Sequence, residues 1–87
     1  RLIQFYIHHL TQRQRQIVTL VVNGLKNDDI GACLYIESNV VAGHLTNIYG
    51  LLGTLDECEG LQPNRYLVIR WFVPLFERYP DLRAQIS

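Results

Sequence analysis

Between Thr11 and Gly53 the apolar positions recur at helical spacing in three successive runs, each bounded by residues that start or stop helices. Ile17, Leu20 and Val21 give the inward face of a first helix over Thr11–Asn23. Thr11 followed three residues on by Gln14 forms a capping box, and Gly24 suits a left-handed C-terminal stop. Asn27–Leu34 reads as a second, short helix, with Asn27 as its cap and Asp28 and Asp29 at the positive end of its dipole. Tyr35–Glu37 reads as a tight turn. Ser38–Leu52 follows as a third helix capped by Ser38, with Val41, Leu45, Ile48 and Leu52 at i, i+4, i+7 and i+11 in one apolar stripe. The stripe must face a core. Asn39, Ala42, Gly43, Thr46 and Gly50, on the opposite side, must face something else.

Outside these runs the pattern is weaker. Arg1–Leu10 is mostly apolar without a clear period, and reads as a lead-in helix or the end of a linker, leaving 11–87 as the domain proper. Thr54–Asn64 is acidic, holds Gly60 and Pro63, and reads as a loop. The last element begins at Pro63 or Asn64. Tyr66–Val73 is apolar on nearly every side and rich in strand formers, so both a helix and a strand fit it. Pro74 is placed to kink or end a helix there, and Pro80 precedes a polar tail. With the last element counted as a helix, a choice that rests on the resemblance described below, the expected fold class is all-α, a small bundle of about four helices built on two short helices and a tight turn.

The chain has 87 residues and is 48% hydrophobic, enough for one small core. It starts at Arg1 and contains no Met, which suggests a fragment of a longer protein or a processed chain. The longest apolar run, Tyr66–Phe76, is too short to cross a bilayer and contains Arg70, so no membrane partner and a cytoplasmic location are expected. Cys33, buried on the second helix, and Cys58, in the loop, are then free thiols. Net charge is zero, but unevenly distributed. Residues 1–26 carry Arg1, Arg13, Arg15 and Lys26 and no acid. Residues 27–64 carry Asp28, Asp29, Glu37, Asp56, Glu57 and Glu59 and no Lys or Arg. No catalytic constellation is legible. His8 and His9 are adjacent, so they diverge on a helix and lack a second ligand pair at metal spacing. No metal or cofactor is expected.

From Leu10-Thr11 and Arg13, through Leu20, Gly24-Leu25, Asn27, Asp29-Ile30, Leu34 and Ile36, to Val41, His44, Asn47-Ile48 and Leu52-Gly53, the chain resembles the LuxR-type (GerE-type) helix-turn-helix domain of bacterial transcription regulators. The resemblance covers about half the chain without a gap. It implies that Ser38–Leu52 is a recognition helix for double-stranded DNA, with Ser38, Asn39, Ala42, Gly43, Thr46 and Asn47 at the bases. That helix carries no Lys or Arg, so phosphate contacts are expected from Arg13, Arg15 and Lys26, from Arg65 and Arg70 on the last element, or from backbone N–H groups at helix starts. By chemistry, Asn39 and Asn47 suit adenine, Ala42 suits a thymine methyl group, and Thr46 donates or accepts. The family also places a fourth helix over the last element and often dimerises through it, which makes a helix the preferred reading and Trp71, Phe72 and Phe76 the candidate contacts with a second copy or another regulator. His44 is implied to be structural, at the edge of the core.

The family pattern usually has Lys or Arg where Ala42 stands, Ser at Glu37, Thr at Val40, an acid at Gln14 and a shorter connection after Gly53. Without cations on the reading face, little counterion release drives binding, and a monomer is expected to hold DNA weakly. Two functions compete: a dimeric DNA-binding regulator domain, and the same fold used for protein contact through its acidic motif surface and apolar last helix. An enzyme is not expected.

Overall fold

The capping box closes as the sequence predicts: Thr11 Oγ1 accepts from the Gln14 N–H at 3.1 Å, and Gln14 Oε1 accepts from the Thr11 N–H at 2.9 Å. A computed structural model describes residues 1–86. It is all-α, with α1 at Leu2–His9, α2 at Gln12–Val22, α3 at Asn27–Leu34, α4 at Ser38–Leu52 and α5 at Arg65–Arg78. Single 3₁₀ turns stand at Asp56–Cys58 and Pro80–Leu82. After α2, Gly24 adopts φ 90°, and the Leu25 N–H reaches back to Leu20 O at 3.2 Å, closing the helix with a glycine stop.

α2 is the central element and packs against α3, α4 and α5. Ile17, Val18 and Val21 from α2, Ile30 from α3, Val41, Ile48 and Leu52 from α4, and Val68, Phe72 and Phe76 from α5 are all at 0% exposure. The lead-in segment joins this core as α1. Phe5, Tyr6 and Leu10 are buried, and the Tyr6 ring packs on those of Phe72 and Phe76 at 5.7 and 5.4 Å. The Tyr6 hydroxyl donates to Leu82 O at 2.7 Å, and the Ala84 N–H donates to Thr19 Oγ1 at 3.0 Å, so the polar tail is laid across α1 and α2.

Several local expectations are corrected. The bounds of α3 are as expected, but Asn27 is not its cap: it is the first helical residue, with extended Lys26 at the cap position. Ser38 is likewise the first helical residue, behind extended Glu37, whose carbonyl accepts from Val41 at 3.1 Å and whose side chain makes no capping bond. Pro74 neither ends nor divides α5. Burial of Phe72 and Phe76 on either side of it offsets the lost backbone bond. Asn64 caps α5 by accepting from the Leu67 N–H at 3.0 Å. Phe72 and Phe76 are core aromatics, closed off by α1, and are not available as surface contacts. Cys33 is half-buried rather than buried, while Cys58 is buried, and both are free.

Candidate nucleic-acid interface

The turn between α3 and α4 depends on two residues that local propensity does not favour. Tyr35 ends α3 in the left-handed region, at φ 59° and ψ 42°, although it is not glycine. Its ring gains no burial in return, being 90% exposed. The chain then folds back so tightly that the Ile36 N–H donates to Gly31 O at 3.0 Å, and a Cβ built on Gly31 would stand 2.5 Å from the Ile36 carbonyl oxygen. Only glycine fits at Gly31 without the turn opening.

α4 then divides cleanly. Val41, Leu45, Ile48 and Leu52 are between 0% and 3% exposed. Ser38, Asn39, Ala42, Gly43, Thr46, Asn47 and Gly50 are all exposed. The structure thus brings together on one open surface every α4 position singled out from the sequence. Thr46 Oγ1 donates to Ala42 O at 3.1 Å, within the helix. An added Cβ at Gly43 or Gly50 would meet nothing within 4 Å. Beyond Thr46 a shallow groove continues along Tyr49, Gly50 and Gly53 to Thr54, Gln62 and Pro63. His44 is half-buried at the border of the two faces.

The cations are distributed differently from the sequence expectation. Arg15 Nη1 donates to Leu10 O at 2.6 Å and to Ile7 O at 3.3 Å, satisfying carbonyls at the end of α1, so its guanidinium is engaged at the α1–α2 corner instead of being offered to a phosphate. Arg65 is engaged in the same way, by Asn27 Oδ1 at 2.8 Å and by Leu25 O. Arg1 pairs with Asp56 at 3.1 Å and Glu57 at 3.3 Å, in the turn that follows α4. Lys26 is exposed at the start of α3, and Arg13 lines a pocket beside the turn with Gln16, Cys33, Leu34 and Tyr35. Asp28 and Asp29 are exposed in the first turn of α3, next to Lys26, and Glu37 is exposed at the α3–α4 turn. On α4 itself, burial raises the pKa of the Tyr49 hydroxyl above the ordinary tyrosine range, partly opposed by the Arg65 charge.

Residues 8–60, more than half of the chain, match the GerE model of the luxR family of bacterial regulatory proteins. The chain belongs to that family. This LuxR-family domain is similar to MalT of Serratia proteamaculans, named an HTH-type transcriptional regulator, at 32% identity over 68% of this chain and 6% of MalT. It is also similar to a Mycobacterium tuberculosis protein named for the same regulator class, at 43% identity over 51% of this chain and 5% of that protein. A third relative is YhcZ of Bacillus subtilis, an uncharacterized transcriptional regulatory protein, at 31% identity over 60% of this chain and 24% of YhcZ. The domain therefore spans about a twentieth of the length of the first two. No solved structure gives a significant match.

Three residues of this LuxR-family domain escape a sequence reading. Gly31 sits inside a helical run, where glycine signals only a weakened helix. Tyr35 reads as an ordinary turn aromatic. Arg65 reads as a candidate phosphate contact, because the partners that engage it, Asn27 and Leu25, are far back in the chain. The available clue was an unexplained glycine one turn before a predicted reversal.

Proposed function

We propose that this domain binds double-stranded DNA as part of a transcription regulator, with α4 laid in the major groove. The observation that carries the reading is the two-sided α4: its apolar stripe is sealed while Ser38, Asn39, Ala42, Gly43, Thr46 and Asn47 stand open together. Family membership and the regulator names of the relatives support it. Arg13 and Lys26 supply phosphate contacts at the flank of α4. Tyr35 adds a third: its exposed hydroxyl stands in the same pocket rim as Arg13.

With two free cations near the helix and three acids beside them, a monomer binds weakly and with a shallow salt dependence. A dimer compensates by joining two such contacts. Trp71 is the α5 residue placed for that role. It is half-buried and lines an apolar groove of about 430 Å³ with Leu2, Leu55 and Pro74, bordered by Arg70 and Glu57. The deciding experiment is a titration of labelled duplex at low salt with the wild type, Thr46→Asp and Asn39→Asp. Loss of binding in both variants supports the reading. Absence of binding in the wild type, or equal binding in all three, overturns it.

A second reading keeps the fold but assigns the open surface to another protein. It is favoured by the engagement of Arg15 and Arg65 with backbone carbonyls, which leaves the α4 surroundings acidic. Sedimentation of the same samples separates the two readings. A stable protein complex that forms without DNA and is weakened by Thr46→Asp, in samples that retain no duplex, favours protein contact alone.

A further inference from the structure

We propose that the α4 face reads A·T base pairs, so that the duplex this domain prefers is A·T-rich where the helix enters the groove. The inference rests on the DNA-binding reading above and narrows it to a class of target. Asn39, Gly43, Thr46 and Gly50 stand at i, i+4, i+7 and i+11, the spacing of the buried stripe but on the other side of the helix. Asn39 and Asn47 are exposed and, among the described residues, make no side-chain hydrogen bond within the protein, so both carboxamides are free. A carboxamide offers one donor and one acceptor side by side. That is the complement of adenine N7 and its N6 amino group in the major groove.

Apart from the Ser38 hydroxyl at the start of the helix, which discriminates little between bases, the remaining side chains of the face offer methyl groups. Ala42 is exposed, Val40 is 43% exposed, and the Thr46 hydroxyl proton is already given to Ala42 O, which leaves a methyl group and a lone pair facing outward. Thymine is the base that presents a methyl group in the major groove. Guanine needs paired donors at O6 and N7, and the exposed face of α4 carries no Arg or Lys to supply them. Glu37 suits the cytosine amino group, but it precedes the first helical residue and lies off the stripe. Gly43, with open space where a Cβ would be, allows the helix backbone close to the base edges, which short side chains require.

The test is selection at low salt from duplexes with a randomised centre, followed by titration of a selected duplex and its copy with uracil in place of thymine. The expected result is enrichment of A·T pairs, and affinity lowered severalfold by loss of the thymine methyl groups. Asn39→Ala is expected to relax preference at one position by about tenfold. Arg13→Ala is expected to weaken all duplexes alike. Binding with no base bias, or enrichment of G·C pairs, overturns the inference while leaving DNA binding intact. Failure to retain any duplex overturns both.

Discussion

Arg65 and Asn27, 38 residues apart, are joined by a hydrogen bond of 2.8 Å from Nη1 to Oδ1. The same guanidinium donates to Leu25 O, so the first residue of α5 holds the segment that launches α3. Removing it leaves a carbonyl and a carboxamide without partners at a half-buried site. Arg65→Ala is expected to lower unfolding stability by roughly 1–3 kcal/mol, and Arg65→Lys to recover only part of it because one ammonium replaces a planar fork. In a double-mutant cycle by urea denaturation, Asn27→Ala is expected to cost little once Arg65 is gone. Full additivity would refute the coupling.

Gly31 and Gly43 lie on consecutive helices and are expected to respond oppositely to alanine. At Gly31 the new methyl group meets the Ile36 carbonyl at 2.5 Å, and the turn must open. Gly31→Ala should destabilise by roughly 1–3 kcal/mol, the usual range for overpacking. At Gly43 there is open space on an exposed helical position, and alanine should stabilise by up to about 1 kcal/mol. Thermal melts of the two variants read the difference directly.

Arg13, Lys26 and Arg15 separate phosphate contact from scaffolding. Arg13→Ala and Lys26→Ala are expected to leave the melting temperature nearly unchanged while each lowers the slope of log affinity against log salt by about one unit. Arg15→Ala should do the reverse, since its bond to Leu10 O at 2.6 Å holds the α1–α2 corner. Glu37→Ser, which removes a carboxylate beside the reading face, should tighten duplex binding.

Tyr6 links stability to alkaline pH. Burial of its hydroxyl raises its pKa above the ordinary tyrosine value, with the Thr19 hydrogen bond and the Arg15 charge opposing in part. A raised folded-state pKa means that the folded protein keeps a proton the unfolded chain gives up. The stability so contributed is intact below about pH 10, the ordinary tyrosine value, and is lost as pH climbs from there through the folded-state value. Tyr6→Phe should lose about 1 kcal/mol near neutrality, with the bond to Leu82 O, yet show a flatter decline above about pH 10. Denaturant midpoints across that range test the sign.

Cys33 and Cys58 are expected to differ toward a thiol reagent. Burial and the neighbouring Glu57 charge raise the Cys58 thiol pKa, and its side chain is covered, whereas Cys33 is half-buried beside the turn. Labelling of the native protein followed by peptide mapping should find Cys33 modified first.

Much of this architecture is legible in the residues themselves. Val41, Leu45, Ile48 and Leu52 announce both the helix and its buried side, and Thr11 with Gln14 announces where α2 begins, because a helix's period and its caps are set by neighbours a few positions away. For the same reason the open surface of Asn39, Ala42, Gly43 and Thr46 can be inferred as the complement of the stripe. The choice between helix and strand for Tyr66–Val73 was not available locally, since its residues suit either backbone. It was settled by a core that accepts Leu67, Val68, Phe72 and Phe76 along one helical side.

What the sequence determined by itself, then, is the set of helices around the turn, their apolar faces and the family they belong to. Only the tertiary structure decided which groups remain free to act. A guanidinium reads as a cation anywhere in a sequence, but Arg15 and Arg65 end against backbone carbonyls while Arg13 and Lys26 do not. Aromatic residues on a last helix read alike, but Tyr6 closes over Phe72 and Phe76 and leaves Trp71 at the surface. Periodicity is a short-range property of the chain, whereas the partner of a charge or a ring is chosen by elements that meet only when the chain has folded.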